Sequence, residues 1–417
     1  MGKEIVNEEC KQPGGRSRLW NPEDISHGTD KIECISFRMS SDGAIEINSK
    51  NFMKMPNLRF LRITRSKWIL PDDLDFFPEE LRYLCWYGYP LKSLPLKFCP
   101  NNLVQLLLPE SQLKQLWDGD NKKIKSNILR LENLKTLDLQ GCSKLEECPE
   151  IPCNLRYLYL SETAIKQLPS SIGHCSQLVV LWLHGCTKLE NLPDCIGQLQ
   201  SLELIDVTDL KFSTLPNNFG YLKSLKKLDA TGSGIKTLPS SFNQLSRLER
   251  LKFMGCNGLT VWPSLSGLNS LQRLFLGNCG ISEIPESIGS LVSLKGLYLD
   301  RNDFKSIPAS IKQLSNLDTL MLNDCKRLRY LPELPGTRSF SASNCTSLEF
   351  VSFSSFSKAE TEDDLLWTLF SEDDLPGTRL NFSNCIKLGD NIRLQITEAL
   401  FSAQQGRDVR FRSLILN

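Results

Sequence analysis

Cysteine is the residue type whose number and spacing could most readily support chemistry, as a metal ligand, a nucleophile or a disulfide. The sequence holds 15 cysteines but only three histidines, and no two cysteines have the C-x-x-C spacing common in zinc sites. We therefore do not expect a metal site. Six cysteines instead occupy one position of a repeated pattern, which predicts a buried ladder of free thiols: Cys142, Cys186, Cys256, Cys279, Cys325 and Cys345.

Acid–base and phosphate chemistry have equally little support. The paired carboxylates Asp72/Asp73 and Glu146/Glu147 fall in turns, where solvated charge is the ordinary interpretation. The motifs G-x-S-x-G, H-E-x-x-H and G-x-x-x-x-G-K-[ST] do not occur, so the turn at 13–16 is not expected to bind phosphate. The sequence predicts a protein that is not an enzyme and needs no cofactor.

The elements that position the remaining side chains are set by one repeated pattern. Between Leu155 and Pro332 one pattern recurs eight times, at intervals of 23 residues and once of 24, and it reads L-x-x-L-x-L in five of the eight copies. A period of this length is typical of leucine-rich repeats, whose units stack because none can bury its apolar face alone. The opening leucines are Leu155, Leu178, Leu202, Leu225, Leu248, Leu271, Leu294 and Leu317.

The pattern predicts the fold class and the direction of the side chains. We expect an α/β solenoid: a leucine-rich-repeat horseshoe with a parallel β-sheet on the concave face and mostly irregular or short helical convex segments. The last two leucines of L-x-x-L-x-L alternate as on a strand, so Leu181, Leu183, Leu274 and Leu276 should point inward. About twelve or thirteen repeats are expected between Ile32 and Leu348, with 31–40 as the first, capping strand.

Strand positions that flank the inward leucines should line the concave face. They include aromatic residues, Met and Arg, which are enriched at protein interfaces. The alternative is that strand-favouring aromatic residues merely fit a parallel sheet. The candidate partner-binding residues are Tyr157, Tyr159, Trp182, Lys227, Arg250, Lys252, Arg273, Phe275, Tyr298 and Met321.

The N-terminal segment resembles a known family. Its M-G-x-E-I-V at 1–6 and P-G-x-R-S-R-L-W at 13–20 are similar to the end of the nucleotide-binding region in plant intracellular immune receptors with a Toll/interleukin-1-receptor-type first domain. The spelling L-R-Y-L-C-W-Y-G-Y-P from Leu81 resembles an early repeat of the same receptors. Residues 382–400 resemble the opening of the β-rich domain that follows their repeats.

The resemblance implies three segments. Residues 1–25 would be a remnant of the nucleotide-binding region, residues 26–352 the repeat solenoid, and residues 353–417 an acidic loop with an incomplete post-repeat domain. The Toll-type and nucleotide-binding domains would be lacking. A basic loop at 117–128 and a short docked helix within the acidic stretch 353–376 are also predicted.

The resemblance further implies a function. The chain would be the ligand-recognition and autoregulatory module of a plant disease resistance receptor, binding a pathogen effector or the receptor's own nucleotide-binding core in defence signalling. A stand-alone intracellular scaffold for signalling proteins is the alternative. A net charge of +1 and the lack of any run of 18 apolar residues favour neither nucleic acid nor membrane as partner. We expect a cytoplasmic or also nuclear protein, monomeric alone and oligomeric only within a full receptor.

Overall fold

Contacts divide the chain into an N-terminal unit, Met1–Phe212, and a C-terminal unit, Ser213–Asn417. The computed structural model describes residues 12–38, 45–46, 49–64, 68–69, 74–95, 98, 101–117, 131–259, 264–352, 379–389 and 413–415. Five features expected from the sequence lie outside the described residues. They are the motif at 1–6, the Asp72/Asp73 pair, the basic centre of the 117–128 loop, the apolar residues of the acidic stretch, and residues 390–400 of the segment that resembles the post-repeat domain.

The N-terminal unit is built on a parallel sheet of short strands, with one strand contributed by each repeat. The sheet order follows the chain as β1-β2-β4-β6-β7-β8-β9-β10-β11, and β3 pairs with β5 separately. The strands are β1 Arg18–Leu19, β2 Cys34–Arg38, β3 Ile45–Glu46, β4 Phe60–Thr64, β5 Trp68–Ile69, β6 Tyr83–Trp86, β7 Gln105–Leu107, β8 Thr136–Asp138, β9 Tyr157–Tyr159, β10 Val180–Trp182 and β11 Leu204–Asp206.

The C-terminal unit repeats this arrangement. Its sheet runs β12-β13-β14-β15-β16-β18-β20-β21, all parallel, and β17 pairs with β19 in a second small sheet. The strands are β12 Lys227–Asp229, β13 Arg250–Lys252, β14 Arg273–Phe275, β15 Gly296–Tyr298, β16 Thr319–Met321, β17 Tyr330–Leu331, β18 Ser339–Ser341, β19 Phe350–Val351, β20 Arg379–Asn381 and β21 Ser413–Ile415.

The helical segments are short and mostly 3₁₀, and a proline precedes many of them. In these segments an N–H group bonds to the carbonyl oxygen three residues earlier, which is the 3₁₀ pattern. The Cys175 N–H, for example, donates to the Ile172 carbonyl oxygen at 2.9 Å. They are helix α1 at Ser49–Met53 and 3₁₀ turns at Pro13–Gly15, Pro22–His27, Ser170–His174, Asp194–Gln198, Phe219–Tyr221, Ser240–Gln244, Glu286–Ser290 and Ala309–Gln313.

The inward direction of the leucines is confirmed in both units. Leu181 and Leu183 are completely buried, as is Leu274, and Leu276 exposes only 4% of its surface. Strands in neighbouring repeats pair leucine against leucine, as Leu181 pairs with Leu158. The period-2 alternation therefore places the apolar residues in the core and their neighbours on the outer face of the sheet.

The assignment of 31–40 as the first strand is wrong, because another strand precedes it. β2 does form within that range, but Arg18 and Leu19 pair in parallel with Cys34 and Ile35. The Ser17 carbonyl accepts the Glu33 N–H at 2.8 Å, and Leu19 is buried. The short strand β1 therefore supplies hydrogen bonds to an edge of β2 that would otherwise be unpaired.

The cysteine ladder is also confirmed, and its hydrogen bonds explain it. The cysteines of the ladder share one position of the repeat, which we call the slot. It lies where the chain turns inward after its strand, beside a carbonyl of the preceding repeat. The Cys186 Sγ donates to the Leu160 carbonyl oxygen at 2.9 Å, and the Cys279 Sγ to that of Phe253 at 2.8 Å. Corresponding contacts of 3.0 to 3.3 Å are made by Cys142, Cys256, Cys325, Cys345 and Cys385.

In several other repeats the slot holds a small polar residue that also makes hydrogen bonds, namely Thr163, Ser233 or Asn302, whereas Leu210 fills it in the repeat that opens at Leu202. The amide of Asn302 makes the most: its Nδ2 donates to the carbonyl oxygens of Leu276 and Leu299, both at 2.8 Å. Its Oδ1 accepts the N–H groups of Cys279 and Ile281, both at 3.1 Å. Asn302 is 2% exposed, so a single side chain satisfies four buried backbone groups.

Replacing Asn302 by alanine should therefore be costly. Each buried backbone group left without a partner costs about 1–3 kcal/mol, so we expect Asn302→Ala to lower the free energy of unfolding by more than about 3 kcal/mol. The matched control is Asn316→Ala, because exposed Asn316 makes one similar bond, to the Val292 carbonyl at 2.8 Å. Its cost should stay below about 1 kcal/mol. Equal losses in chemical denaturation would contradict the role assigned to Asn302.

The slot cysteines should resist alkylation in the folded protein. Burial raises the pKa of Cys256, of Cys279 to about 11 and of Cys142 to about 12, so these thiols stay protonated where a free thiol ionises. Treated with iodoacetamide at about pH 8.5, they should react at least about 100-fold more slowly than exposed Cys153. Peptide mass spectrometry measures the rates, and denatured protein supplies the control. Rapid labelling of the folded slot would refute the ladder.

Candidate functional site

Two groups of side chains lie on the face of the strands that points away from the leucine core, one group in each unit. We call this side the outer face; it is the face that the sequence analysis expected to be concave. In the N-terminal unit the aromatic cluster consists of Tyr157, Tyr159 and Trp182. Its residues flank the buried leucines Leu158 and Leu181, so the period-2 alternation turns them away from the core. The expected outward direction of these three side chains agrees with the structure.

Trp182 is the most exposed member of the aromatic cluster. It pairs in register with Tyr159, and the two rings meet edge to face with their centroids 5.0 Å apart. Trp182 still exposes 38% of its surface. Tyr157 is half-buried, and the Arg156 guanidinium lies 5.9 Å from its ring centroid. The cluster thus presents ring faces and edges that are packed on one side and open on the other.

The phenol of Tyr159 is held in its protonated form. Burial is the main cause that raises its pKa, with smaller contributions from Asp138 on the neighbouring strand and from Tyr157. The Asp138 carboxylate accepts the Gln140 N–H at 3.0 Å. At neutral pH the Tyr159 hydroxyl is therefore a hydrogen-bond donor, and the cluster combines apolar area with one polar contact point.

In the C-terminal unit the outer face changes from charged to apolar along the sheet. Lys227, Arg250 and Arg273 occupy equivalent positions on β12, β13 and β14 and form the basic row. Two residues further along each strand, Asp229 and Lys252 precede an apolar group. That group is Phe275, Tyr298 and Met321, on β14, β15 and β16.

The aromatic pair Phe275 and Tyr298 is tightly stacked. Their ring centroids are 4.3 Å apart and the rings are inclined by 7°. A Cβ added at Gly296 would lie 2.9 Å from the Tyr298 ring, so the absence of a side chain there lets the ring lie close to the backbone. The Lys252 Nζ is 5.8 Å from the Phe275 centroid, which is within cation–π range.

Lys252 also has a second role, as the partner of Asp229. Its Nζ lies 2.9 Å from the Asp229 carboxylate. Burial opposes ionisation of that carboxyl, but hydrogen bonds from Thr231 and Lys252 outweigh it and lower the pKa of Asp229. Asp229 is therefore charged at neutral pH, and its negative charge balances the positive charge of Lys252. The three residues of the basic row have no such ion pair within the described part of the chain.

One aromatic pair of this kind was missed in the sequence analysis. Phe60 and Tyr83 pair in register on β4 and β6, with ring centroids 4.2 Å apart and an inclination of 4°. They occupy the strand position that Tyr157 occupies in its own repeat. The spellings L-R-F-L and L-R-Y-L, which match L-R-Y-L at Tyr157, were the signal that could have identified them.

The structure offers no alternative site of a metalloenzyme type within the part of the chain it describes. No group of three or more His, Cys, Asp or Glu side chains there could hold a metal ion. Among the same residues, no helix has the length and apolar character needed to cross a bilayer. The outer faces of the strands in the two units carry the exposed aromatic and basic side chains, and we take them as the candidate site.

The outward side chains should matter little for folding. We expect Trp182→Ala to lower the free energy of unfolding by less than about 1.5 kcal/mol, since it loses mainly the ring contact with Tyr159. The neighbouring Leu183→Ala should cost about 2–5 kcal/mol by opening a cavity in the core. Denaturant unfolding followed by circular dichroism measures both. Comparable losses would mean that Trp182 is part of the core.

Comparisons with known proteins agree with this geometry. The family described as disease resistance protein RPS4B-like, leucine-rich repeats, matches residues 176–364, and the general leucine-rich repeat matches residues 133–155. Among solved structures, the Leptospira interrogans leucine-rich-repeat protein LIC12759 aligns with a TM-score of 0.61 and 24% identity. It covers 77% of this chain and 84% of that one. This similarity concerns the fold alone.

The curated relatives are plant proteins. Disease resistance protein RPS6 of Arabidopsis thaliana is 36% identical over 189 residues, which are 41% of this chain and 16% of that protein. Disease resistance protein RPP2A of the same plant is 38% identical over 203 residues, or 41% and 15%. The matched regions thus span about a sixth of the relatives' length. The repeats at residues 176–364 are thus similar to the leucine-rich repeats of plant disease resistance proteins.

Proposed function

We propose that this chain is the recognition and autoregulatory module of a plant immune receptor, and that it binds its protein partner through the outer faces of its sheets. The family match over residues 176–364 supports a leucine-rich-repeat module of the disease resistance type. The finer assignment, binding of a pathogen effector or of the receptor's nucleotide-binding core, is our proposal. The same proposal places it in the cytoplasm, also with access to the nucleus.

The observation that carries the proposal is the exposure of paired aromatic rings on strands whose other side chains are buried in the core. Trp182 exposes 38% of its surface, although burying a tryptophan contributes more than burying most side chains. Tyr159, Phe275 and Tyr298 are packed on one side and half-exposed on the other. Rigid aromatic side chains lose little conformational entropy when they bind, which makes them efficient anchors.

The fold supplies the rigidity that such anchors need. Backbone hydrogen bonds between strands fix the spacing of neighbouring outward side chains at about 4.8 Å. The slot residues fix each turn that follows, as Cys186 does after β10. A partner would therefore meet a surface whose geometry is already set, and it would pay little ordering cost on binding.

Removing the anchors should weaken binding without unfolding the protein. Two variants are compared, Trp182→Ala and the double variant Phe275→Ala with Tyr298→Ala. We expect each to raise the Kd for the nucleotide-binding core of the receptor that contains this chain about 30-fold or more. The matched control is Tyr221→Ala, because Tyr221 exposes 49% of its surface but lies on a 3₁₀ turn. Isothermal titration calorimetry measures the affinity, with circular dichroism to confirm folding.

A second arm tests pathogen recognition. The same variants are placed in the full receptor and expressed in leaves with candidate effectors, and defence-associated cell death is scored. Loss of the response with normal protein levels supports effector recognition, whereas cell death without effector supports autoregulation. If only Tyr221→Ala disturbs binding or signalling, the partner uses the other side of the repeats and the proposal fails.

A further inference from the structure

We propose that the outer face of the C-terminal unit binds an acidic segment of a partner protein, with its carboxylates on the basic row and an aromatic or aliphatic side chain on the aromatic pair. This inference rests on the proposed function and adds the chemical class of the partner. The basic row is Lys227, Arg250 and Arg273, and the aromatic pair is Phe275 and Tyr298.

The first step in the argument is the register of the basic row. Lys227 pairs with Arg250, and Arg250 with Arg273, so three cationic side chains follow one another on adjacent parallel strands. Adjacent strands are about 4.8 Å apart. Like charges placed side by side on a sheet repel one another and destabilise it. An anionic partner would relieve this repulsion.

The second step is that the protein does not neutralise the row itself. Within the described part of the chain, no ion pair involves Lys227, Arg250 or Arg273. The carboxylate on the same face, Asp229, lies 2.9 Å from Lys252 and accepts a bond from Thr231. Lys227 and Arg273 are exposed and Arg250 is half-buried. The row therefore offers open positive charge beside a pair that is already satisfied.

The third step is the direct continuity between charge and aromatic surface. Arg273 and Phe275 lie on the same strand and the same face, two residues apart. Lys252 bridges the two regions, since its Nζ contacts Asp229 and lies 5.8 Å from the Phe275 ring. A ligand that bound only the basic row would leave the aromatic pair exposed to water, and a ligand that bound only the aromatic pair would leave the basic row without counter-charges. An acidic peptide with one apolar side chain satisfies both.

The pattern argues against a uniform polyanion as the partner. The continuous basic row covers only three neighbouring strands. At the equivalent position β15, β16 and β18 carry Gly296, Thr319 and Ser339, and the next basic residue is Arg379 on β20. A nucleic acid strand would gain from a longer basic track along the sheet. Net charge for the whole chain is +1, so no general field draws polyanions to it. A short acidic protein segment matches the size of the row better.

The test uses a defined probe, a fluorescent twelve-residue peptide of Asp and Glu with one central Trp. We expect the folded chain to bind it, and Lys227→Glu, Arg250→Glu and Arg273→Glu together to raise its Kd at least about tenfold. The triple Gln variant should weaken it in the same direction with less risk to folding. Fluorescence anisotropy gives the Kd, and affinity should fall as salt rises from about 50 to 300 mM.

A matched control keeps the change in net charge constant. Lys236, Lys305 and Lys326 are exposed in the same unit but lie outside its strands, and their combined change to Glu should leave the peptide's Kd within about twofold. A peptide with Asn and Gln in place of Asp and Glu should bind at least about tenfold more weakly. An equal loss in the control variant would mean that net charge alone governs binding, and would overturn the proposal.

Three further outcomes would overturn it. These are no binding of the acidic peptide by the wild-type chain, equal binding of the uncharged peptide, and tighter binding of a dodecamer of deoxythymidine than of the peptide. Failure here is distinguishable from failure of the proposed function. If charge reversal leaves the affinity for the nucleotide-binding core unchanged while Phe275→Ala with Tyr298→Ala abolishes it, the site binds protein but not through acidic groups.

Discussion

The structure depends on satisfying the backbone groups that are buried where each repeat turns inward after its strand. Each short parallel strand is followed by a turn whose backbone carbonyl groups are buried in the core. These carbonyl groups are removed from water and must accept hydrogen bonds from donors within the protein. The slot residue provides one, as Cys279 does for Phe253, and Asn302 provides four bonds at once. Because the Cys279 bond and three of the four Asn302 bonds reach into the preceding repeat, the same interaction that satisfies a turn also joins neighbouring repeats.

This constraint explains why cysteine is abundant at one position of the repeat. The slot needs a small side chain that donates one bond and otherwise behaves as an apolar group, and a buried thiol meets that description. Burial in turn raises the pKa of thiols such as Cys142 and Cys256, which suppresses their reactivity. The inner side of the repeats is therefore determined by packing, while the outer side chains are free to vary. Function can be placed on that outer face at little cost to the fold.

The two outer surfaces use this freedom differently. The aromatic cluster around Trp182 presents apolar area with the protonated Tyr159 hydroxyl, whereas the face around Phe275 joins stacked rings to an unneutralised basic row. In both, strand pairing sets the spacing between side chains, so neighbouring residues act as one surface. Outward residues of such repeats can be substituted while every inward leucine, such as Leu181, stays in place.

Local periodicity was enough to determine the solenoid, the inward leucines and the cysteine slot, because each is encoded within a single repeat of about 23 residues. It also placed Trp182 and Arg250 on the outer face, since alternation along a strand has period two. What lay beyond one repeat required the tertiary structure. The pairing of β1 with β2 and the slot bond of Cys385 depend on segments that the regular spacing does not reach. The stacking of Tyr298 on Phe275 over Gly296, and the neutralisation of Lys252 but not Arg250, were decided by contacts between strands, which no linear pattern specifies.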